Sequence, residues 1–182
     1  VNTAYATFKK LWDDGLVYRG ERLVNYCTFH GTSFADIEVE FKDVDSKIWS
    51  IAYPLTEGEE QLVVATTRPE TMLGDTAVAV HPNDERYKAY IGKTVKLPLT
   101  NRDIPVIADE MVDPAFGTGA VKITPAHDPN DFALGQRHNL PMPTIMDATA
   151  RIDGTGTQFD GMDRFEARVK VREALAEQGR IV

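Results

Sequence analysis

One cysteine in 182 residues, Cys27, leaves nothing to close an internal disulfide, which fits a reducing compartment. No stretch approaches the roughly 18 consecutive apolar residues of a helical membrane span, and the first residues lack the basic-then-apolar pattern of a signal segment. A soluble protein with a cytoplasmic setting is the default expectation. Positive charge is also scarce. Twenty Lys and Arg against 28 Asp and Glu give a net charge of −8 and a pI near 5.0, so a general nucleic-acid-binding surface is excluded and any RNA contact must be local. There is no glycine-rich GxxxxGK phosphate loop, no nucleophile elbow, and no Ser-His or Cys-His arrangement for covalent catalysis. Cys27-Thr-Phe-His30 has metal-like spacing, but a structural zinc needs four ligands and only His81, His127 and His138 remain as soft partners, so no metal site is expected.

What is present concentrates in two runs. Gly117-Thr-Gly-Ala-Val-Lys-Ile-Thr-Pro-Ala-His-Asp-Pro-Asn-Asp131 reads as a strand passing through a tight loop into a helix. Strand alternation puts Val121 and Ile123 on one face and Lys122 and Thr124 on the other. Pro125 stops sheet pairing, Asp128 suits the N-cap, Pro129 the first helical position and Asp131 the third. An ammonium, a hydroxyl and two carboxylates therefore converge. The same residues also fit plainer roles: Asp128 as a cap only, Asp131 as the reciprocal member of a capping box, Lys122 on a solvated sheet face.

The second run, Thr66-Thr-Arg-Pro-Glu-Thr71, follows the apolar strand Leu62-Val-Val-Ala65. Pro69 pins the chain, Arg68 offers a planar fork for phosphate or carboxylate oxygens, and Thr67 and Thr71 offer hydroxyls. On composition alone, an ordinary polar turn with Arg68 and Glu70 in solvent fits this run better. His127 stands beside the first run as a general base or a packing residue. Glu70, Asp75, Asp128 and Asp131 could together hold a hard divalent ion in a phosphoryl-transfer site, against which Lys122 argues.

Along the chain, Ala4, Phe8, Leu11 and Trp12 at helical spacing predict an amphipathic helix over 3–14, packed on a neighbour and ended by Gly15. Strands are expected at 22–26, 36–42, 47–53, 61–66, 76–80, 94–98, 104–108 and 118–124, with a short helix near 83–90, a helix opening at Asp128, and a last one from Asp163 with a capping box to Glu166. Many short strands without βαβ alternation predict an α+β domain around a barrel or curled sheet, with flanking N- and C-terminal helices. Residues 146–161 are the expected mobile loop. The chain opens at Val1 without methionine and reads as an excised piece of something larger, residues 1–182 forming one domain with 1–35 as a leading helix-and-strand segment.

The runs 66–80, TTRPETMLGDTAVAV, and 117–131, GTGAVKITPAHDPND, resemble the editing domain inserted in valyl-tRNA synthetases, as do Ile104–Asp109, Arg137–Pro141 and Asp163–Arg168. The isoleucyl and leucyl enzymes carry related domains; Lys122-Ile-Thr124 with Arg68-Pro-Glu-Thr71 looks valyl. Relatives often have Cys-x-x-Cys where this chain has Cys27-Thr-Phe-His30. The resemblance implies a β-barrel-like editing domain that hydrolyses the ester of tRNA(Val) mischarged with threonine. The physical need is the known one of valyl enzymes themselves, whose synthetic pocket separates the near-isosteric valine and threonine by only about a hundredfold. It implies that Asp131 holds the substrate ammonium and Asp128 or Thr124 the threonine hydroxyl. Lys122 would stabilise developing negative charge, Thr67, Arg68 and Thr71 would frame the terminal adenosine and the water, and Thr66, Glu70 and His127 would join them as substrate-binding residues. Catalytic roles fall on Lys122, Asp131 and Thr71. No HIGH or KMSKS signature is present, so ATP and Mg chemistry would lie in the remainder of the synthetase chain, the fragment itself needing no cofactor. A metal-dependent phosphodiesterase and a non-catalytic RNA-binding module are the alternatives from other classes.

Overall fold

The computed structural model describes all 182 residues, and their first 48 differ in kind from the rest. Helix α1, Asn2–Asp13, forms as its spacing predicts, with Gly15 at φ +70° just beyond it. Phe8 stacks on Trp12 on the apolar stripe, yet no residue of α1 is buried, so the expected packing on a neighbour is absent. Strands β1 (Asn25–Cys27) and β2 (Thr32–Phe34) form a small antiparallel hairpin. The strand expected at 36–42 is a single 3-10 turn, Asp36–Glu38. Its acidic side chains explain why: Glu38 accepts from the Ala35 amide and Asp36 from the Asn25 side chain, local bonds that replace a sheet partner.

The core begins at the antiparallel hairpin of β3 (Trp49–Pro54) and β4 (Gln61–Thr66). A second sheet has the order β6 (Thr94–Lys96), β7 (Asp103–Ala108), β5 (Ala77–Val80), β8 (Ala120–Ile123), with β5 and β7 parallel and the other pairs antiparallel. All four residues of β5 are buried, as a run of small apolar residues covered on both faces requires. Val78 and Val80 face the main core, while Ala77 and Ala79 face a smaller cluster with Ile123 and Leu134. A bridge between Leu55 and Val95 joins the two sheets at one end, and β4 lies against β8 at the other without ladder bonds. The α+β expectation therefore holds, with small curled sheets that stop short of a closed barrel.

The helix expected at 83–90 reduces to turns and the 3-10 segment Lys88–Tyr90. Residues 146–161, expected to be mobile, are fastened. Asp147 and Asp160 accept from the turn amides and hydroxyls around them, while Ile152 and Phe159 enter the main core. Helix α2 (Pro129–Arg137) follows β8, and α3 (Arg164–Glu177) buries Ala167, Val171 and Leu175, one stripe at helical spacing. Asp163 caps α3 through the Phe165 amide alone, so the reciprocal bond from Glu166 is missing.

The segment after β4 is a 3-10 stretch, Pro69–Gly74, buried at every residue. It is clamped to α3 by Arg168, whose Nε and Nη2 donate to Glu70 at 2.9 and 2.8 Å. Glu70 is fully buried, and without Arg168 it keeps only the longer ion pair with Arg68 Nε at 3.9 Å, which leaves its charge poorly compensated. Arg168→Ala is expected to cost about 3 kcal/mol in urea unfolding, and the double change Glu70→Gln with Arg168→Met to recover most of that loss. Equal losses in both would contradict the clamp.

Candidate functional site

The 3-10 stretch, the end of β8 and the start of α2 wall a cavity of about 670 Å³. Its polar lining includes Thr66, Thr67, Arg68, Thr71, Lys122, Thr124, His127, Asp128 and Asp131; Ile48, Met111 and Phe116 add an apolar rim. The convergence of Lys122, Thr124, Asp128 and Asp131 expected from the sequence is thus present. Its cause is partly steric. Gly135 lets α2 seat against the loop after β8, since a Cβ there would come within 2.8 Å of Pro125.

Lys122 is not on a solvated face. Its ammonium is buried and donates to Asp75 Oδ1 at 2.9 Å and to the Thr124 hydroxyl. Thr124 Oγ1 in turn donates to Asp75 Oδ1 at 2.6 Å, and Tyr53 Oη donates to Asp75 Oδ2 at 2.7 Å. Asp75 is fully buried. Burial pushes its carboxyl up, and the Lys122 charge and the Thr124 and Tyr53 hydroxyls pull it back. Tyr53 rises well above its ordinary range through burial first and the Asp75 charge second. From behind, the Arg102 guanidinium donates to Asp75 O at 3.1 Å and to Leu73 O, fixing the turn that carries Asp75. Two of the three N–H donors of the Lys122 ammonium are committed, and the third has no partner within the chain, on a residue that lines the cavity.

The two aspartates of α2 separate in role. Asp128 caps the helix through Oδ1, which accepts from the Asn130 and Asp131 amides at 2.8 and 3.2 Å; Oδ2 carries no bond. Asp131 makes no capping box. Its Oδ2 accepts from the Thr124 amide at 2.8 Å, tying helix to strand. Burial pushes the Asp131 carboxyl up to about 6, against the Thr124 amide and the Lys122 charge. At neutral pH it is ionised and costly, which makes it a ready partner for a cation.

The other expected site residues are disposed differently. The Thr66 hydroxyl accepts from the Arg68 amide, the Thr71 hydroxyl donates to Arg68 O at 2.8 Å, and Arg68 Nη1 donates to His127 O at 3.1 Å. Thr67 lines the cavity. Glu70 does not; it faces α3 and Arg168. His127 Nε2 accepts from the Ile145 amide at 3.1 Å, and burial, then the charges of Arg68 and Lys122, draws its pKa down to about 4. A neutral imidazole with its lone pair committed is a packing residue here, not a base. Glu70, Asp75, Asp128 and Asp131 are not gathered around one point, and no group of three or more His, Cys, Asp or Glu side chains suited to a metal ion exists. Cys27 and His30 bond each other at 3.3 Å. Sequence reasoning left Asp75 as a metal alternative and missed Tyr53, Arg102 and Phe116. An aspartate between Gly74 and an apolar strand reads as a turn residue, and only the need of a buried lysine for an anion signals otherwise.

The family model for tRNA synthetases class I (I, L, M and V) matches residues 1–172. The chain is 64% identical over 176 residues to a valine--tRNA ligase of Nocardia farcinica, covering 96% of this chain and 20% of that one. It is 58% identical over 175 residues to that of Thermotoga maritima, with the same coverage. The chain thus spans about a fifth of the length of the curated relatives it matches. Among solved structures, GlLeuRS-CP1 shares the fold with a TM-score of 0.60 at 15% identity, covering 75% of this chain and 98% of that one. A LeuRS-tRNA-LeuAMS ternary complex from Agrobacterium radiobacter K84 shares it with a TM-score of 0.57 at 22% identity, over 71% of this chain and 19% of that one.

The raised Asp131 pKa has a signed consequence. Between the ordinary value of 3.8 and about 6 the folded chain holds a proton that the unfolded chain has lost, so this group's stability contribution is lost as pH rises through that window. Asp131→Asn removes the titration while its amide oxygen can still accept the Thr124 N–H. Its stability relative to the parent is expected to be more favourable at pH 7.5 than at pH 4.5 in urea unfolding. A pH-independent difference would contradict the assignment.

Proposed function

The chain belongs to the class I tRNA synthetases of the I, L, M and V group, and from that premise we propose that it is the editing domain of a valyl-type enzyme, hydrolysing the ester of threonine on tRNA(Val). The observation that carries the reading is the cavity between the 3-10 stretch and α2. It offers an ionised carboxylate, a second carboxylate with a free oxygen, and a buried ammonium with one free N–H.

Asp131 takes the α-ammonium of the aminoacyl group in a charge-assisted bond. Oδ2 of Asp128 accepts from the threonine hydroxyl, since Oδ1 is held by the helix start and Thr124 Oγ1 already serves Asp75 and Lys122. Valine leaves that oxygen desolvated and unpaired, a penalty of roughly 1–3 kcal/mol. The free N–H of Lys122 faces the ester carbonyl, where negative charge develops as water attacks and the ribose oxygen leaves. Thr67, Arg68 and Thr71 line the side for the water and terminal ribose, and Phe116 at the rim offers a flat apolar surface to the adenine. Catalysis is then positioning and electrostatics on an already labile ester. The body of the tRNA, ATP, Mg and the aminoacylation reaction belong to the remainder of the synthetase, in a cytoplasmic setting, with residues 1–182 as one editing unit led by 1–35.

Deacylation of Thr-tRNA(Val) and Val-tRNA(Val) tests this. The threonyl ester is expected to be cleaved at least about tenfold faster, and Asp131→Ala to slow it by about tenfold to a hundredfold, the worth of a charge-assisted bond. Equal rates on both esters would refute the reading. The parent's threonyl rate should also fall as pH drops below about 6, where Asp131 gains a proton and loses its charge. A flat acid limb down to pH 5 would remove Asp131 from the ammonium.

A further inference from the structure

A second cavity, of about 620 Å³, lies behind the 3-10 stretch between the β6–β7 turn, the loop 155–159 and the residues following α3. Its charged lining is all of one sign. Lys96, Arg102 and Arg180 face it with no Asp or Glu, in a chain whose net charge is −8. Half of the rest is hydroxyl and amide, from Thr100, Asn101, Thr155, Thr157, Gln158 and Gln178, and half is Pro, Leu, Gly and Phe. Asp160 is the acid closest in sequence to this lining on the 155–159 loop, and its oxygens are turned onto Thr155 and Gly156.

None of the three cations has an anionic partner. Arg102 is bonded only to the neutral carbonyls of Leu73 and Asp75, which fix its plane while leaving N–H donors free. Arg180 is half-buried and its side chain makes no hydrogen bond, although its backbone carbonyl is fixed by the Ala52 amide. Partial burial of uncompensated guanidinium groups is unfavourable until an anion arrives. The turn itself is strained, with Leu99 at φ +63°, a conformation that persists where the surrounding structure over-determines it.

We propose that this cavity is a phosphate-binding site, distinct from the cavity that holds Asp131. The planar guanidiniums of Arg102 and Arg180 suit the oxygens of a phosphate or phosphodiester, Lys96 adds a point charge, and the threonine hydroxyls donate to the remaining oxygens. An RNA backbone and a free nucleotide share this chemistry.

The 182-residue chain, isotope-labelled and at low ionic strength, is titrated separately with pyrophosphate, with ATP and with an RNA hairpin carrying no amino acid, and amide shifts are read by NMR. Saturable shifts of Thr100–Arg102 and Thr155–Gln158 are expected, with affinity about tenfold weaker in the double variant Lys96→Gln, Arg180→Gln. The two side chains have no partners within the chain, so the variant keeps its fold, and its dispersed spectrum verifies that. Saturation by the hairpin alone identifies an RNA backbone as the source, and saturation by pyrophosphate or ATP a free phosphate. No saturable shift with any probe up to about 10 mM, or shifts untouched by the double variant, would overturn the proposal.

Discussion

A buried lysine is the constraint on which the rest of the candidate site depends. An ammonium removed from water at the end of a sheet strand is tolerated only with an anion and hydrogen-bond acceptors, and Asp75 supplies the first while sharing the second with Thr124. Asp75 is itself buried, so its turn must be held, which Arg102 does from behind and Tyr53 from the β3–β4 hairpin. Arg168 fixes the same 3-10 stretch to α3. Three separate elements therefore converge on one short segment. Thr124 then passes the order on, since its amide anchors Asp131 and so places the start of α2.

This arrangement reconciles capping with ligand binding. Asp128 spends one oxygen on the helix start and keeps the other, and Asp131 spends one on Thr124. The unspent oxygens, with the third N–H of Lys122 and the Arg68 side chain, make the cavity polar at a few defined points beside an apolar rim. On the proposed editing reading, those points are where threonine differs from valine and where an aminoacyl ester differs from its products.

The sequence made the strand–loop–helix run and its four polar residues legible, because a period of two in β8 and the cap at Asp128 are local properties. The strands of the second sheet and α3 were legible for the same reason, though not the order in which those strands pair. The direction in which a side chain faces across the core was not. The sequence puts Lys122 in the pocket, with a solvated face as the plainer alternative, but its buried partner Asp75, 47 positions away, is not visible there; Glu70 looked like a cavity residue until Arg168, 98 positions later, was found on it. Local bonding also overrode pattern in the first 48 residues, where an apolar helical stripe formed without anything to bury it and acidic side chains converted an expected strand to a turn.

On the proposed editing reading, the central claim is that Asp75 acts on ester hydrolysis only through Lys122 and Thr124, the groups it holds. A double-mutant cycle on hydrolysis of the threonyl ester measures this, using Asp75→Asn, Lys122→Met and the pair. Each single change is predicted to lower kcat by about a hundredfold, as removal of a positioned charge-stabilising donor does, and the pair to lower it no further. Losses that multiply in the pair, or an Asp75→Asn rate equal to the parent's, would contradict the account.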